Sequence, residues 1–196
     1  MSVGARADMT KIIDVEFELS VARAMLAELE EYLASDVLYW QTASNALGDR
    51  MPKLTIGGLL EALLRAEAAG APDAPALRSS LQRVKPGRLY RYLDRAERET
   101  RSRLDAWTWY LDDYARSAAD AASYYPREVR ARLKAELLLS EVEPHQRGRA
   151  ERARANALDE RVRAAFAPGE FVLDERLKVY LPADRCWWLY GRLRNR

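Results

Sequence analysis

A mainly α-helical bundle carrying a small C-terminal β element is the fold this sequence predicts, and three observations point to it. The first is a run from Arg88 to Ala122 with no internal Gly or Pro. Its apolar and small positions (Leu89, Leu93, Ala96, Thr100, Leu104, Trp107, Leu111, Tyr114, Ala118, Ala121) step by threes and fours, which keeps them on one stripe of a helix. At 1.5 Å per residue that helix would be about 50 Å long. The second is another such stripe, Val15, Leu19, Ala22, Leu26, Leu29, Leu33, Val37 and Trp40. The third is a change of texture after Pro168-Gly169, where short β-branched and aromatic runs replace the helical period. Together they predict two long antiparallel helices, several shorter ones, and a C-terminal β-hairpin or meander.

In chain order, residues 1–13 read as a flexible N-terminal arm, 14–168 as the helical bundle, and 169–196 as a β appendage packed on it. The first helix opens at Asp14 and frays near Asn45 to Gly48. Thr55 is a natural N-cap for a short apolar helix ending at Gly70. A further helix, from about Pro75 to Val84, precedes the Pro86-Gly87 break. Tyr124-Tyr125-Pro126 closes the long run, and Pro126 fits the first turn of the next helix, whose stripe is Val129, Leu133 and Leu137. Pro144 to Gly148 is another break, followed by an Ala/Arg-rich helix to about Phe166. Expected strands are Glu170 to Leu173, Leu177 to Leu181 and Cys186 to Tyr190. Two strands alone are marginal in water, so they must lie on the helices or on another chain.

Composition excludes more functions than it selects. The 196 residues are 48% hydrophobic, ample for one core, with 32 basic residues against 30 acidic. Only five of the basic residues are Lys, so Arg dominates and favours forked pairing with carboxylates or phosphates. A single Cys rules out an internal disulfide framework and fits a reducing cytoplasm. No uncharged apolar run is long enough for a membrane span, and Met1 to Thr10 lacks the apolar core of a secretory signal. The expectation is a cytoplasmic protein.

No catalytic, cofactor or metal constellation emerges. His145 is the only histidine and sits in a turn, Cys186 lies in an apolar run, and one Cys with one His cannot build a typical structural zinc site. Gly57-Gly58 could leave backbone N–H groups open to an anion at a helix start, though two glycines early in a helix more often allow close packing, which is the favoured reading. Asp105 and Asp112 share a face of the long helix, but opposite its apolar stripe, which reads as a solvated, ion-paired face. An enzyme using carboxylates or an unidentified cofactor is the third-ranked reading.

Two binding surfaces remain. For a polyanion, the candidates are Arg88, Arg91, Arg95 and Arg98 at the start of the long helix, with Tyr90 and Tyr92 interleaved, and Arg147, Arg149, Arg152 and Arg154 further on. Arg192, Arg194 and Arg196 form a third cluster. The acidic segment from Asp8 to Asp36 could neutralise some of these, within the chain or across a dimer. For a protein partner, Trp109 projects from the polar side of the long helix, half a turn from its stripe, and Trp187, Trp188 and Tyr190 cluster near the C-terminus. A non-enzymatic helical interaction or scaffold protein that self-associates is therefore the leading expectation, and nucleic-acid or polyanion binding the alternative.

Overall fold

A computed structural model describes residues 12–44 and 47–195. The expected terminal arm lies outside the described residues apart from Ile12 and Ile13, as do Asn45 and Arg196. Helix α1 (Val15–Ala27) is capped by Asp14, whose carboxylate accepts from the Phe17 amide at 3.1 Å. The helix kinks at Glu28 into α2 (Leu29–Ala34), and Ser35 leaves it in extended conformation. The helical spacing of Val37 and Trp40 therefore continues in the sequence but not in the backbone. Trp40 instead pairs with Leu54 as an antiparallel bridge, and its indole N–H donates to Glu28 at 2.8 Å. The second Glu28 oxygen accepts the Ala43 amide at 2.8 Å, so one carboxylate ties the loop back to the kink.

Helix α3 (Ile56–Ala68) starts at Thr55, whose hydroxyl accepts from the Gly58 amide at 2.9 Å, and α4 (Ala74–Gly87) follows. Pro86 is accommodated in the last turn of α4, so the break falls at Arg88. The long helix is α5 (Leu89–Arg116), and its buried residues include Leu93, Ala96, Thr100, Leu104, Trp107, Leu111 and Tyr114, the stripe the sequence predicts. It stops short of Ala122. Ser117 turns out of helical geometry, and α6 (Ala118–Ala121) restarts at a new angle.

The helix that runs beside α5 is α7 (Tyr125–Val142), with Pro126 in its first turn. Near the start of α5 the Tyr92 hydroxyl donates to Glu141 at the end of α7, 2.9 Å away. Near the end of α5 the Trp107 and Tyr110 rings meet Tyr125 at the start of α7. The two long antiparallel helices are thus α5 and α7, while α1 packs chiefly on α3. Glu99, fully buried on α5, accepts the Gly57 amide at 2.8 Å and pairs with Arg103. A Cβ at Gly57 would stand 2.7 Å from that carboxylate. The glycine permits the approach, and the anion at the start of α3 is supplied by the chain itself.

Helix α8 (Arg149–Ala165) leads directly into β1 (Phe166–Phe171), which pairs antiparallel with β2 (Tyr190–Leu193). The pairing begins at Phe166 with Leu193 and is irregular between Pro168 and Phe171. Two of the apolar runs expected as strands are short 3-10 turns instead, Glu175–Val179 and Trp187–Leu189. Leu177, Trp188 and Leu189 of these turns, with Phe171, Val172 and Leu173, join the same core as the helices, while Val179 is exposed. Asp174 accepts the Ile13 amide at 3.0 Å, so the first described residues are clasped by the C-terminal segment.

Candidate interaction surface

Helical geometry places Arg98, Ser102, Asp105, Trp109, Asp113 and Arg116 on one stripe of α5, diametrically opposite its core stripe. Trp109 is 69% exposed in the middle of it. The other four tryptophans are engaged within the chain. Trp40 bonds Glu28, Trp107 stacks on Tyr110 at 5.3 Å, Trp187 lies under Arg163 and Trp188 under Arg132. Trp109 alone has no hydrogen bond, ring contact or cation over its face among the described residues.

Trp109 borders a groove of about 740 Å³ between the end of α5, α6 and the start of α7. Tyr124, 52% exposed, stands on the same groove, with Ala106, Tyr110 and Ala121 among its lining. The rim is charged and carries more acid than base: Asp113, Asp120 and Glu128 against Arg116 and Arg127. Arg116 pairs with Asp113, Arg127 with Glu128, and the Ser117 hydroxyl bonds Asp120. Two turns towards the start of α5, about 10 Å away, Ser102 bonds the Tyr39 hydroxyl at 2.6 Å. Tyr39 and Val37 on that loop are 37% and 49% exposed. Four of the exposed apolar side chains thus lie along one side of α5 at two levels, Val37 and Tyr39 on the loop held by Arg95 and Ser102, Trp109 and Tyr124 on the groove near Asp113.

The loop that presents Val37 and Tyr39 is held by the arginines that sequence marked as polyanion ligands. Arg95 is buried, donates to the carbonyls of Ser35 and Val37, and lies 4.9 Å over the Tyr32 ring. The Ser35 carbonyl ends α2 and the Val37 carbonyl follows it in the loop, so Arg95 caps the helix, pins the departing chain and is removed from the surface. Arg98 donates to the Asp36 carbonyl at 3.3 Å, and Arg91 reaches the Asp36 carboxylate at 3.5 Å. The acidic first segment and the basic start of α5 therefore do meet within one chain, through carbonyls as much as carboxylates. Arg147 pairs with Glu97, Arg152 with Glu136 and Glu143, and Arg154 with Asp105 at 2.7 Å. Arg88 and Arg149 make no ion pair among the described residues.

No family model matches this chain, and no curated protein or solved structure matches it.

The C-terminal aromatic cluster closes inward, against expectation. A strand would send Trp187 and Trp188 to opposite faces. The 3-10 turn instead buries Trp188 completely, with the Arg132 guanidinium 4.7 Å over its ring. Trp188 is core, not partner surface. Tyr190 is half-buried, its ring tilted against Phe171, and donates its hydroxyl to the Leu181 carbonyl at 2.8 Å. Trp187 is half-buried between Arg163, 4.2 Å over its ring, and the edge of Phe166.

Beside Trp187 a polar cleft of about 680 Å³ runs between α7 and α8. Arg132 grips Asp159 with two bonds of 2.9 Å and Glu136 with a third, while Arg152 and Arg185 also reach Glu136. Burial pushes the Glu136 carboxyl up, but Arg152 and Arg132 outweigh it and hold it down at about 2. This cleft is rich in charge yet internally matched. His145 is exposed in its turn, and Cys186 is buried, its thiol pushed up to about 11 chiefly by burial. Among the described residues no three His, Cys, Asp or Glu side chains group as metal ligands, and no helix is long and apolar enough to cross a membrane.

Sequence reading missed Val37, Tyr39 and Tyr124. Val37 fitted a helical stripe and read as core, and Tyr124 read as punctuation before Pro126. Only the ends of α2 and α5, set by Ser35 and Ser117, bring them to the surface beside the long helix.

Proposed function

We propose that this chain is a helical interaction protein whose working surface is the outer stripe of α5 with its flanking aromatics. The observation that carries this reading is Trp109, exposed and without a partner among the described residues while every other tryptophan has one. Leaving so large an apolar ring in water is costly, and tryptophan is among the residues that most often anchor interfaces. The second exposed ring on the same groove, Tyr124, and the apolar pair at Tyr39 extend one anchor into a patch. The acidic rim would orient a partner and set its charge preference. No bond-making chemistry is assigned to the surface.

Photochemical footprinting tests the reading. Trp109 and Tyr124 should be oxidised readily in the dilute purified protein and several-fold less in the cells that make it, while exposed Tyr90 should change little. Equal labelling of Trp109 in both settings would sink the proposal.

Polyanion binding is the second reading, favoured by Arg88 and Arg149, whose guanidiniums are exposed and have no carboxylate on them among the described residues. It requires affinity for DNA or RNA that falls steeply with added salt. Absence of such binding at low salt would remove it.

A further inference from the structure

We infer that the partner covering this stripe is a second copy of the chain, packed antiparallel along α5 about a two-fold axis passing near Asp105 and Ala106. The inference rests on the interaction reading above and adds the occupant and its register.

Charge order along the stripe selects the direction. On the side towards the start of α5 the stripe carries Arg91 and Arg98, with Asp36 beside Arg91, and towards its end Asp113, paired within the chain to Arg116, followed by Asp120 on the groove rim. Two copies laid side by side in the same direction would oppose Arg98 to Arg98 and Asp113 to Asp113. Laid antiparallel about the stated axis, Arg98 of each copy faces Asp113 of the other, and Ser102 faces Trp109. Each favourable contact then occurs twice, as an isologous interface requires. Asp105 meets its own copy near the axis, but its carboxylate is already bound by Arg154 at 2.7 Å.

The apolar side chains obey the same symmetry. Tyr39 is tied to Ser102, so the axis brings it onto Trp109 of the other copy. Val37, one step further out on that loop, comes towards the groove that holds Tyr124. Two half-patches that are each incomplete, one on the loop after α2 and one at the end of α5, are thus complementary to one another. The closed two-fold also gives a finite dimer, whereas a head-to-tail use of the same surfaces would leave one half-patch open at each end and propagate.

Sedimentation of the full chain over a micromolar-to-millimolar series tests the proposal, with charge variants to read the register. The wild type should form a dimer. Arg98→Asp and Asp113→Arg should each weaken it by at least about tenfold, and the double variant should recover most of that loss, because the swap restores both contacts. Circular dichroism of each variant checks that the fold is kept. As a second readout independent of charge, Ala106→Cys should form an intermolecular disulfide on mild oxidation, while Ser123→Cys, outside the stripe, should not. A chain that stays monomeric throughout overturns the inference. So does a dimer indifferent to both charge variants and lacking the Ala106→Cys crosslink. The two readings fail separately: in-cell shielding of Trp109 with a monomeric purified chain would keep the interaction surface and remove the second copy, and unshielded Trp109 would remove both.

Discussion

Where α7 and α8 meet the C-terminal segment, two tryptophans are finished by arginines: Arg132 lies over Trp188 and Arg163 over Trp187. On the back of α5, Trp109 has arginines nearby in sequence but none on its ring. The arginines there are spent elsewhere, Arg95 and Arg98 on the loop after α2 and Arg116 on Asp113. Both regions draw on the same residue types. What separates them is cover. The C-terminal segment folds over the first pair, and no segment among the described residues covers Trp109. A tryptophan's role in this protein is therefore decided by which chain segments reach it, not by its charge neighbourhood.

The contrast can be attacked from its strongest element downward. Arg132→Ala should be the most damaging single change, because it leaves Asp159 and Glu136 without their buried partner. A loss of about 5 kcal/mol is expected, the upper end for an orphaned buried charge, read by urea unfolding. Trp188→Ala should follow, at about 3–5 kcal/mol for a fully buried ring, by the same measurement.

Acid should come next. Glu136 is held at about 2 against an ordinary 4.5, and so is Glu61, where burial is outweighed by Lys134 and Arg130. Both folded values lie below the unfolded one, so their stabilisation is complete above about 4.5 and disappears as pH falls through 2. The loss should be on the order of 3 kcal/mol per carboxylate, followed by thermal unfolding across that window. Glu18 runs the other way, since burial raises it despite the Arg65 pair, and it adds nothing to this acid loss.

Trp109→Ala should have the smallest effect on folding, within about 0.5 kcal/mol in dilute solution, while abolishing concentration-dependent association. If it instead destabilised the dilute chain as Trp188→Ala does, the distinction between the two regions would collapse.

Periodicity made most of the bundle legible. The core stripe of α5, the Thr55 cap and the placement of Pro126 all follow from local spacing and local hydrogen bonding. Trp109's exposure was legible for the same reason, because its angle on the helix is a local quantity. Trp188 was not, since its burial depends on a 3-10 turn and on Arg132, more than fifty residues away in the chain. Trp40 misled because a stripe of matching residues ran past Ser35, where the backbone leaves the helix and Arg95 closes it. Tyr39 was invisible because its exposure depends on where that loop is pinned. The arginine clusters were visible as composition, but which carboxylate each one meets is a property of the packed helices.

Ser117 has a consequence out of proportion to its side chain. Had α5 run on to Ala122, Tyr124 would lie beyond the far end of a straight rod, and the rod would carry Trp109 on an isolated ridge. The turn at Ser117 folds the following residues back, making a concavity with an aromatic on each wall. One backbone irregularity thus converts a convex ridge into a groove. Such a shape could be lost or gained by a change in helix length at one residue, with neither ring altered.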